Sequence, residues 1–351
     1  MRTSSFYGLV LSFLEIKRKK CCFLHQNLLY LIYCFTICIR GVDAVRADGK
    51  KTKDVFPMYM VAAHLMSRRY DAMNMITLDI PLEPIRTYLN KKKKEGIFLS
   101  HMGLFIAAYL RTLCEYPHLN RFVVNKKIYS RNEIAVGMVV LKAGDINNET
   151  MSKIYFEPED TSFTVQERID RYVEDNRKTD NNNSTDKIIK SLLRIPGLLT
   201  VGVGLFKFMD RYGLLPKSIV DASPFHTSLL ISNLASIRTN HIYHHVYGFG
   251  TTSLALTMGN LHDVPKHKGE EVASERCIPV GLVMDERTAT GVYFAQAFRR
   301  FRDYLAHPEK LELPPERVVF DFENQYLKQK LRREKLLAKK QKKLKRNPNN
   351  N

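Results

Sequence analysis

The most constraining feature of the sequence is a strand, a turn and a helix pattern that follow each other over residues 278–306. Residues 278–284 are apolar and have the length of a buried strand. Residues 292–306 repeat apolar side chains at helical spacing, and Pro308 comes directly after them. The turn between the two elements reads Asp285-Glu286-Arg287-Thr288-Ala289-Thr290-Gly291. Because both flanking elements are predicted to be buried, this polar turn is the first candidate for a functional site.

Helix and strand patterns are mixed along the rest of residues 48–320. The spacing predicts helices over residues 57–73, 83–95, 101–115 and 164–176. It predicts strands over residues 76–80, 122–124, 128–129, 134–141, 153–156, 227–234 and 252–258, with a hairpin turn at residues 125–126. The strands lack a regular crossover rhythm. The pattern therefore favours an α+β fold, with a mixed β-sheet and flanking helices, over a doubly wound parallel sheet.

Charge is concentrated at the two ends of the chain. Residues 1–53 carry a net charge of +7 and residues 324–346 carry +10, which leaves +2 of the total of +19 for residues 54–323. A nearly neutral body indicates no specific nucleic-acid interface. Residues 321–351 are expected to form a basic tail, frayed and solvated or weakly helical.

Residues 1–47 form a hydrophobic and basic extension. We favour the interpretation that this extension is translated upstream sequence, or that the start codon was assigned too early. An uncleaved membrane anchor is the second interpretation, and a secretion signal is the third. Membrane contact is expected only through this extension or the basic tail. Cys114 and Cys277, in predicted core elements, indicate reduced thiols and a cytoplasmic protein. Membrane association through the extension is the alternative.

Four stretches give residues 48–312 a family resemblance. They are residues 56–82, the helix that ends near Asn120, Ile231-Ser232-Asn233-Leu234, and the turn at residues 285–291. Together they resemble the catalytic domain of 2-oxo acid dehydrogenase acyltransferases, the dihydrolipoyl acyltransferase component, and the chloramphenicol acetyltransferase family. The likeness is to short stand-alone members without a lipoyl domain. It implies a coenzyme A-dependent acyltransferase fold over residues 48–320.

The resemblance also implies a site between subunits. It predicts a homotrimer with an acyl thioester, coenzyme A or acyl-CoA, as substrate, and neither a lipoyl attachment in this chain nor a metal. By position, the hydroxyl of Ser232 stabilises the oxyanion of the tetrahedral intermediate, with Asn233 beside it. The family's general-base histidine corresponds to Glu286, and its aspartate corresponds to Thr290.

The substitution at the base position leaves two readings of the turn. Glu286 acts as the base if burial raises its pKa by several units, or it pairs with Arg287 and is structural, which we slightly favour. Thr290 cannot form the ion pair of an aspartate, so Asp285, Arg287, Thr290 and Gly291 are counted as motif residues.

Three histidines offer an alternative base. His241, His244 and His245 follow Ser232 in sequence, and one of them could accept the proton, with His244 and His245 as the named candidates. The three could instead bind a metal. We favour a third interpretation, in which these histidines only form local hydrogen bonds within their loop. His262 and His267 are expected to be solvent-exposed in a polar loop.

Three functions are weighed. The first is an acyltransferase acting between coenzyme A and a thiol, amine or hydroxyl acceptor. The second is a catalytically inactive binding or scaffold protein, because the motif histidine is Glu286. The third is a protein associated with membrane surfaces or nucleic acid through its basic ends.

Overall fold

The computed structural model describes residues 46–53, 55–141, 149–178, 198–269 and 271–346. Most of the hydrophobic and basic extension, residues 1–45, lies outside these ranges, so the predictions made for it are not addressed by the structure. The described residues belong to one compact unit that begins at Arg46.

Ten strands form two sheets in the described residues. They are β1 Gly49–Lys51, β2 Met73–Pro81, β3 Arg121–Val124, β4 Lys127–Arg131, β5 Ile134–Leu141, β6 Glu149–Phe156, β7 Leu229–Asn233, β8 Leu254–Met258, β9 His262–Lys268 and β10 Glu271–Asp285. The small sheet has the order β1-β4-β3, and its β3–β4 turn is the predicted hairpin.

The large sheet is mixed. Its order is β2-β10-β8-β7-β5-β6, and β9 pairs with the first half of β10. Strand β7 is parallel to β5 and to β8, whereas the pairs β5–β6, β8–β10 and β2–β10 are antiparallel. The predicted α+β fold with a mixed sheet is confirmed.

Eight α-helices accompany the two sheets in the described ranges. They are α1 Pro57–Leu65, α2 Leu82–Lys94, α3 His101–Glu115, α4 Ser162–Lys178, α5 Leu198–Arg211, α6 Lys217–Ala222, α7 Gly291–Ala306 and α8 Leu327–Arg346. Of these, α3 is the central one, with every residue from Gly103 to Cys114 buried. The Ser100 hydroxyl caps it by accepting a hydrogen bond from the Gly103 N–H at 2.9 Å.

The main core lies between one face of the large sheet and helices α2, α3, α4 and α7. Ile231, Leu256 and Leu282 of three neighbouring strands belong to it, as do Phe105 and Phe301 of the helices. Because side chains alternate along a strand, the residues next to these three in sequence point to the opposite face of the sheet. That opposite face carries the candidate site.

Several boundaries differ from the sequence prediction. Residues 262–268 form strand β9 rather than a loop. They pair with residues 271–277, the seven residues of β10 that precede its apolar part at residues 278–284. Nε2 of His262 on this strand lies within hydrogen-bond distance, 2.8 Å, of the Asp79 carboxylate. The first helix ends at Leu65, and a 3₁₀ turn over Arg69–Ala72 leads into β2.

The C-terminal segment does not leave the body at residue 321. Tyr326 is 5% exposed and belongs to the main core, and Asp321 forms an ion pair with Arg121 at 2.6 Å. Helix α8 therefore begins from a fixed position. No helix within the described ranges has both the length and the apolar character needed to cross a membrane.

Candidate functional site

Four residues stand side by side across the large sheet, on the face opposite the helices. Ser232 of β7 is paired with Thr257 of β8, Thr257 with Gly281 of β10, and Gly281 with Thr77 of β2. Residues paired in this way share one face of a sheet, with neighbouring strands about 4.8 Å apart. We call these four residues the polar row.

A short segment after β7 crosses the polar row. The hydroxyl of Thr257 accepts a hydrogen bond from the Ile242 N–H at 3.2 Å and donates one to the Ile242 carbonyl oxygen. At the far end of the row, the Thr77 hydroxyl lies 3.0 Å from Nε2 of His241 and 2.7 Å from the Tyr243 hydroxyl. Thr77 therefore holds the His241 imidazole, and Thr257 holds the backbone of the residue that follows it.

Two glycines make room for this crossing. A Cβ atom at Gly281 would lie 2.8 Å from the Thr257 hydroxyl oxygen and 3.1 Å from Cδ2 of His241. A Cβ atom at Gly259 would meet the backbone of Asn240 at 2.9 Å and that of His241 even closer. Any larger residue at either position would displace His241, so glycine is required there by close approach.

Unsatisfied polar atoms surround the row. The Ser232 side chain is half-buried, and its hydroxyl makes no hydrogen bond within the described part of the chain. Nδ1 of His241 is buried and has no hydrogen-bond partner among the described residues, and neither has Oδ1 of Asn233, which follows Ser232 on β7 and points to the other face of the sheet. Buried polar atoms are rarely left without a partner, so Nδ1 of His241 marks a place on the face of the polar row where a ligand or water completes the structure.

The turn after β10 is held by a buried ion pair. Asp285, fully buried, accepts two hydrogen bonds from the Arg287 guanidinium, at 2.8 Å and 2.7 Å, and one from the Arg287 N–H at 3.2 Å. Arg287 also donates to the carbonyl oxygen of Met66 at 3.0 Å. The expected pairing of Glu286 with Arg287 is wrong, because Asp285 occupies the guanidinium.

Arg69 links this turn to the segment that follows the three histidines. Its Nε lies 3.5 Å from Asp285, and its terminal nitrogens donate to the carbonyl oxygens of Tyr247 at 2.6 Å and Gly250 at 3.1 Å. Burial lowers the pKa of the Arg69 guanidinium, although Asp285 opposes that shift. One buried carboxylate thus organises both candidate loops.

A second buried ionic cluster supports the same loop. Asp210 forms an ion pair with Arg46 at 2.7 Å and accepts a hydrogen bond from the Gly250 N–H at 3.0 Å. Burial alone would raise the pKa of Asp210, but the hydrogen bond to His226 and the charge of Arg46 outweigh burial and hold this pKa below its usual value. Asp210 and Arg46 therefore hold the backbone that follows the three histidines. Because both side chains are engaged in this ion pair, we assign them a structural role.

Glu286 lies at the edge of the large sheet, half-buried. Its carboxylate accepts a hydrogen bond from the Asn74 side chain at 2.7 Å, and its backbone N–H donates to the Ala72 carbonyl at 2.9 Å. Asn74 lies at the start of β2, and Ala72 ends the 3₁₀ turn that precedes it. The Glu286 carboxylate is therefore accessible and holds no counter-ion among the described residues.

Thr290 has a structural role that the sequence comparison did not anticipate. Its hydroxyl accepts a hydrogen bond from the Tyr293 N–H at 3.2 Å and caps helix α7, which begins at Gly291. The Thr290 N–H donates to the Tyr59 hydroxyl at 3.2 Å. A threonine suits this capping position without any ion pair.

Ser232 and Glu286 do not meet within one chain. Gly281 is two strands away from Ser232, and Glu286 follows Gly281 by five residues along β10. Strand spacing and rise place the two Cα atoms roughly 19 Å apart. A site that uses both side chains requires a second copy of the chain.

The named histidines lie beyond the polar row. Nδ1 of His244 is 3.0 Å from the carbonyl oxygen of its neighbour His245, which is exposed. His244 also packs edge-on against Tyr247. Of the three histidines, only His241 reaches the row, and no set of three metal-ligating side chains is grouped in the described ranges.

Sequence reasoning missed Thr77, Gly259 and Gly281. Each is remote from Ser232 in sequence and comes beside it only through strand pairing, so no local pattern marks it. The β8 residue Thr257 sits in an apolar strand, where its polarity was the one available signal.

Comparisons with known proteins support the fold. The structure matches the dihydrolipoamide acetyltransferase (E2p) of Azotobacter vinelandii with a TM-score of 0.50 and 13% identity, over 74% of this chain and 94% of that chain. That protein was investigated for the roles of a serine, a histidine and an asparagine in its catalytic mechanism. The expected chloramphenicol acetyltransferase-like fold is thereby confirmed.

Two further solved structures are more distant. A probable dihydrolipoamide acetyltransferase from Listeria monocytogenes 4b F2365 has a TM-score of 0.47 and 15% identity, over 78% of this chain and 99% of that chain. A chloramphenicol acetyltransferase has a TM-score of 0.43 and 12% identity, over 71% and 94%. No family model and no curated protein matches the sequence.

Proposed function

We propose that this chain is an acyltransferase that moves an acyl group between coenzyme A and an acceptor thiol, amine or hydroxyl. The observation that carries the proposal is the Ser232 hydroxyl, which has no hydrogen bond in the described chain and shares the polar row with Thr257. A hydroxyl without a partner is available to donate to the oxyanion of a tetrahedral intermediate.

The reaction needs a donor for the oxyanion and a base for the acceptor. The base takes the proton of the acceptor, whose sulfur, nitrogen or oxygen attacks the thioester carbonyl carbon. The Ser232 hydroxyl donates to the carbonyl oxygen as that oxygen becomes negative. When the intermediate collapses, the carbon–sulfur bond breaks, and the coenzyme A thiolate takes the proton back from the base.

Two side chains qualify as the base on different grounds. His241 belongs to the same chain as Ser232, is held by Thr77, and has an imidazole ring, the side chain that most often serves as a general base. Glu286 occupies the position of the family's histidine but would have to come from another copy. His244 and His245, beyond the row, serve only if their loop moves.

A homotrimer is proposed on two grounds. Within one copy, Ser232 and Glu286 are roughly 19 Å apart by strand geometry. In addition, helix α1 buries only Ala63, and apolar side chains such as Met58 and Leu65 are exposed by 60% and 80%. Exposed apolar surface of this kind is typical of an interface between protein chains.

The decisive experiment measures thioester turnover by the purified full-length chain. A panel of acyl-CoA donors is offered with thiol, amine and hydroxyl acceptors, and free coenzyme A and acylated product are both quantified. The Ser232→Ala variant is expected to lower the turnover number by about 100- to 1,000-fold, as loss of one oxyanion donor does.

The matched control for this experiment is Ser274→Ala, an exposed serine on the β9–β10 hairpin, which is expected to keep full activity. The proposal fails if the panel gives no turnover, or if Ser232→Ala turns over at the rate of the unaltered chain.

The second candidate function is a catalytically inactive binding or scaffold protein. It is favoured by Glu286, whose carboxylate is held by Asn74 and stands where a histidine would be expected. Binding of an acyl-CoA by calorimetry, without turnover for any acceptor, would support this function over catalysis.

A further inference from the structure

Helix α8 starts from a fixed position and carries an extreme charge. The Gln329 side chain accepts a hydrogen bond from the Ile134 N–H at 2.9 Å and donates one to the Phe156 carbonyl oxygen. Arg332 forms an ion pair with Asp221 at 3.0 Å. The first turns are thus fastened to β5 and β6, and the helix then continues to Arg346.

Beyond Arg332 the helix is not neutralised by its own chain. Residues 327–346 contain 11 Lys or Arg and one acidic residue, Glu334. The side chains of residues 333–339 are all exposed. The charge of Arg333 acts on the Glu157 carboxylate, and Lys335 and Lys339 have no ion pair among the described residues. The cations of this segment therefore face solvent at a spacing set by the helix.

One stripe of the helix combines cations and leucines. A shallow, open surface depression is lined by Lys328, Leu331, Arg332, Lys335, Leu336 and Lys339. These six residues recur at intervals of three or four positions along one side of the helix, over about 16 Å at 1.5 Å per residue. Four of the six are cations. Arg332 is paired with Asp221, but Lys328, Lys335 and Lys339 have no ion pair among the described residues, so these three are complementary to a linear array of anions.

Like charges at these intervals destabilise a helix. Lys328 and Arg332 are four residues apart, as are Lys335 and Lys339, and like charges at this spacing repel each other on the surface of a helix. An anionic chain lying along the stripe would relieve this repulsion. The helix is therefore expected to become more stable when it is occupied.

The positions of the leucines decide between a membrane and a nucleic acid. Leu327 and Leu336 are nine residues apart, which puts them about 180° from each other around the helix. Insertion into a membrane surface requires one continuous apolar face, and this helix has none. Cations on every side suit contact with the phosphates of a nucleic acid strand or duplex.

We infer that helix α8 binds the phosphate backbone of nucleic acid without sequence preference. This site is separate from the polar row and does not depend on acyl transfer. Such contacts release counterions, so the affinity is expected to fall steeply with salt.

The test uses the full-length chain and fluorescence anisotropy with labelled 20-nucleotide RNA, single-stranded DNA and duplex DNA. The site variant carries Lys328→Gln, Lys335→Gln and Lys339→Gln, three exposed lysines of the stripe. The matched control carries Lys91→Gln, Lys93→Gln and Lys94→Gln, an exposed cluster on α2 with the same loss of charge.

The site variant is expected to bind 10- to 100-fold more weakly at 0.1 M salt, and the slope of log K against log[salt] to fall by about 2 for single strands. The control is expected to stay within twofold of the unaltered chain. In amide hydrogen exchange, the peptide over residues 333–346 is expected to gain protection when RNA or DNA is added.

Three outcomes overturn the inference. The first is no binding of any of the three nucleic acids at 50 mM salt. The second is equal weakening by both triple variants, which would make the effect one of net charge alone. The third is retention by phosphatidylserine vesicles without binding to nucleic acid, which would assign the helix to a membrane surface.

Discussion

The buried carboxylate of Asp285 is the single residue on which the motif turn depends most. It binds Arg287 through two oxygens and lies 3.5 Å from Arg69, so three charges are buried together. The substitution Asp285→Ala would leave two guanidinium groups buried without this carboxylate. We expect a loss of about 3–5 kcal/mol in the free energy of unfolding, measured by equilibrium urea denaturation.

Glu286, one residue along, gives the matched comparison. It is half-buried and has one side-chain hydrogen bond, from Asn74, which a glutamine can still accept. Glu286→Gln is therefore expected to change the free energy of unfolding by less than about 1 kcal/mol. If Asp285→Ala were equally mild, the ion pair would not be what holds the turn.

Neighbouring residues of the same motif thus have different tasks. Asp285, Arg287 and Thr290 build the turn and cap the next helix, whereas Glu286 is left accessible at its surface. Because these polar groups hold the backbone of the turn, the turn can present the Glu286 carboxylate in a defined position. That position, rather than any internal ion pair, is what the turn offers to chemistry.

At the scale of single elements, the β3–β4 hairpin contains measurable strain. Its two central residues, Asn125 and Lys126, have φ angles of 50° and 63°, the left-handed conformation of a type I′ turn. Lysine is unfavourable there, whereas glycine adopts the conformation freely. Lys126→Gly is expected to raise the free energy of unfolding by about 1 kcal/mol.

Lys126→Ala supplies the control for this hairpin, because alanine has a Cβ atom and keeps the strain. It is expected to leave stability within about 0.5 kcal/mol of the unaltered chain, by the same denaturation measurement. A glycine variant no more stable than the alanine variant would show that the turn geometry differs in solution.

Local signals explain which elements could be predicted from the sequence. The α3 helix was predicted with correct ends, because Ser100 at its start and Pro117 after it are local signals. Strand β9 was missed, since its residues are polar and only pairing with β10 makes them a strand. The same limit applied to the site: Ser232 came from a resemblance, whereas Thr77 and Gly281 join it only through the register of the folded sheet.

At the scale of the whole molecule, the question is how many copies of the chain complete the site. Ser232 and His241 belong to one chain and share one sheet face, but Glu286 is two strands and five residues away. A reaction that uses Ser232 with His241 needs only the fold of one copy. A reaction that uses Ser232 with Glu286 needs the edge of β2 in one copy to face the sheet of another.

Mixed oligomers distinguish these two arrangements. Ser232→Ala and Glu286→Gln chains with different affinity tags are co-expressed and purified through both tags. If the base comes from another copy, some interfaces of the mixed oligomer contain both native residues, and turnover is expected to recover to roughly a quarter to a third of the unaltered level.

In the parallel pair, Ser232→Ala with His241→Asn, no recovery is expected if both residues act within one chain, because no chain then carries both. Recovery in the second pair but not in the first would reverse the assignment and place His241 across the interface. Each variant measured alone gives the baseline, and size-exclusion chromatography with light scattering confirms that the mixed species has the same number of subunits as the unaltered protein.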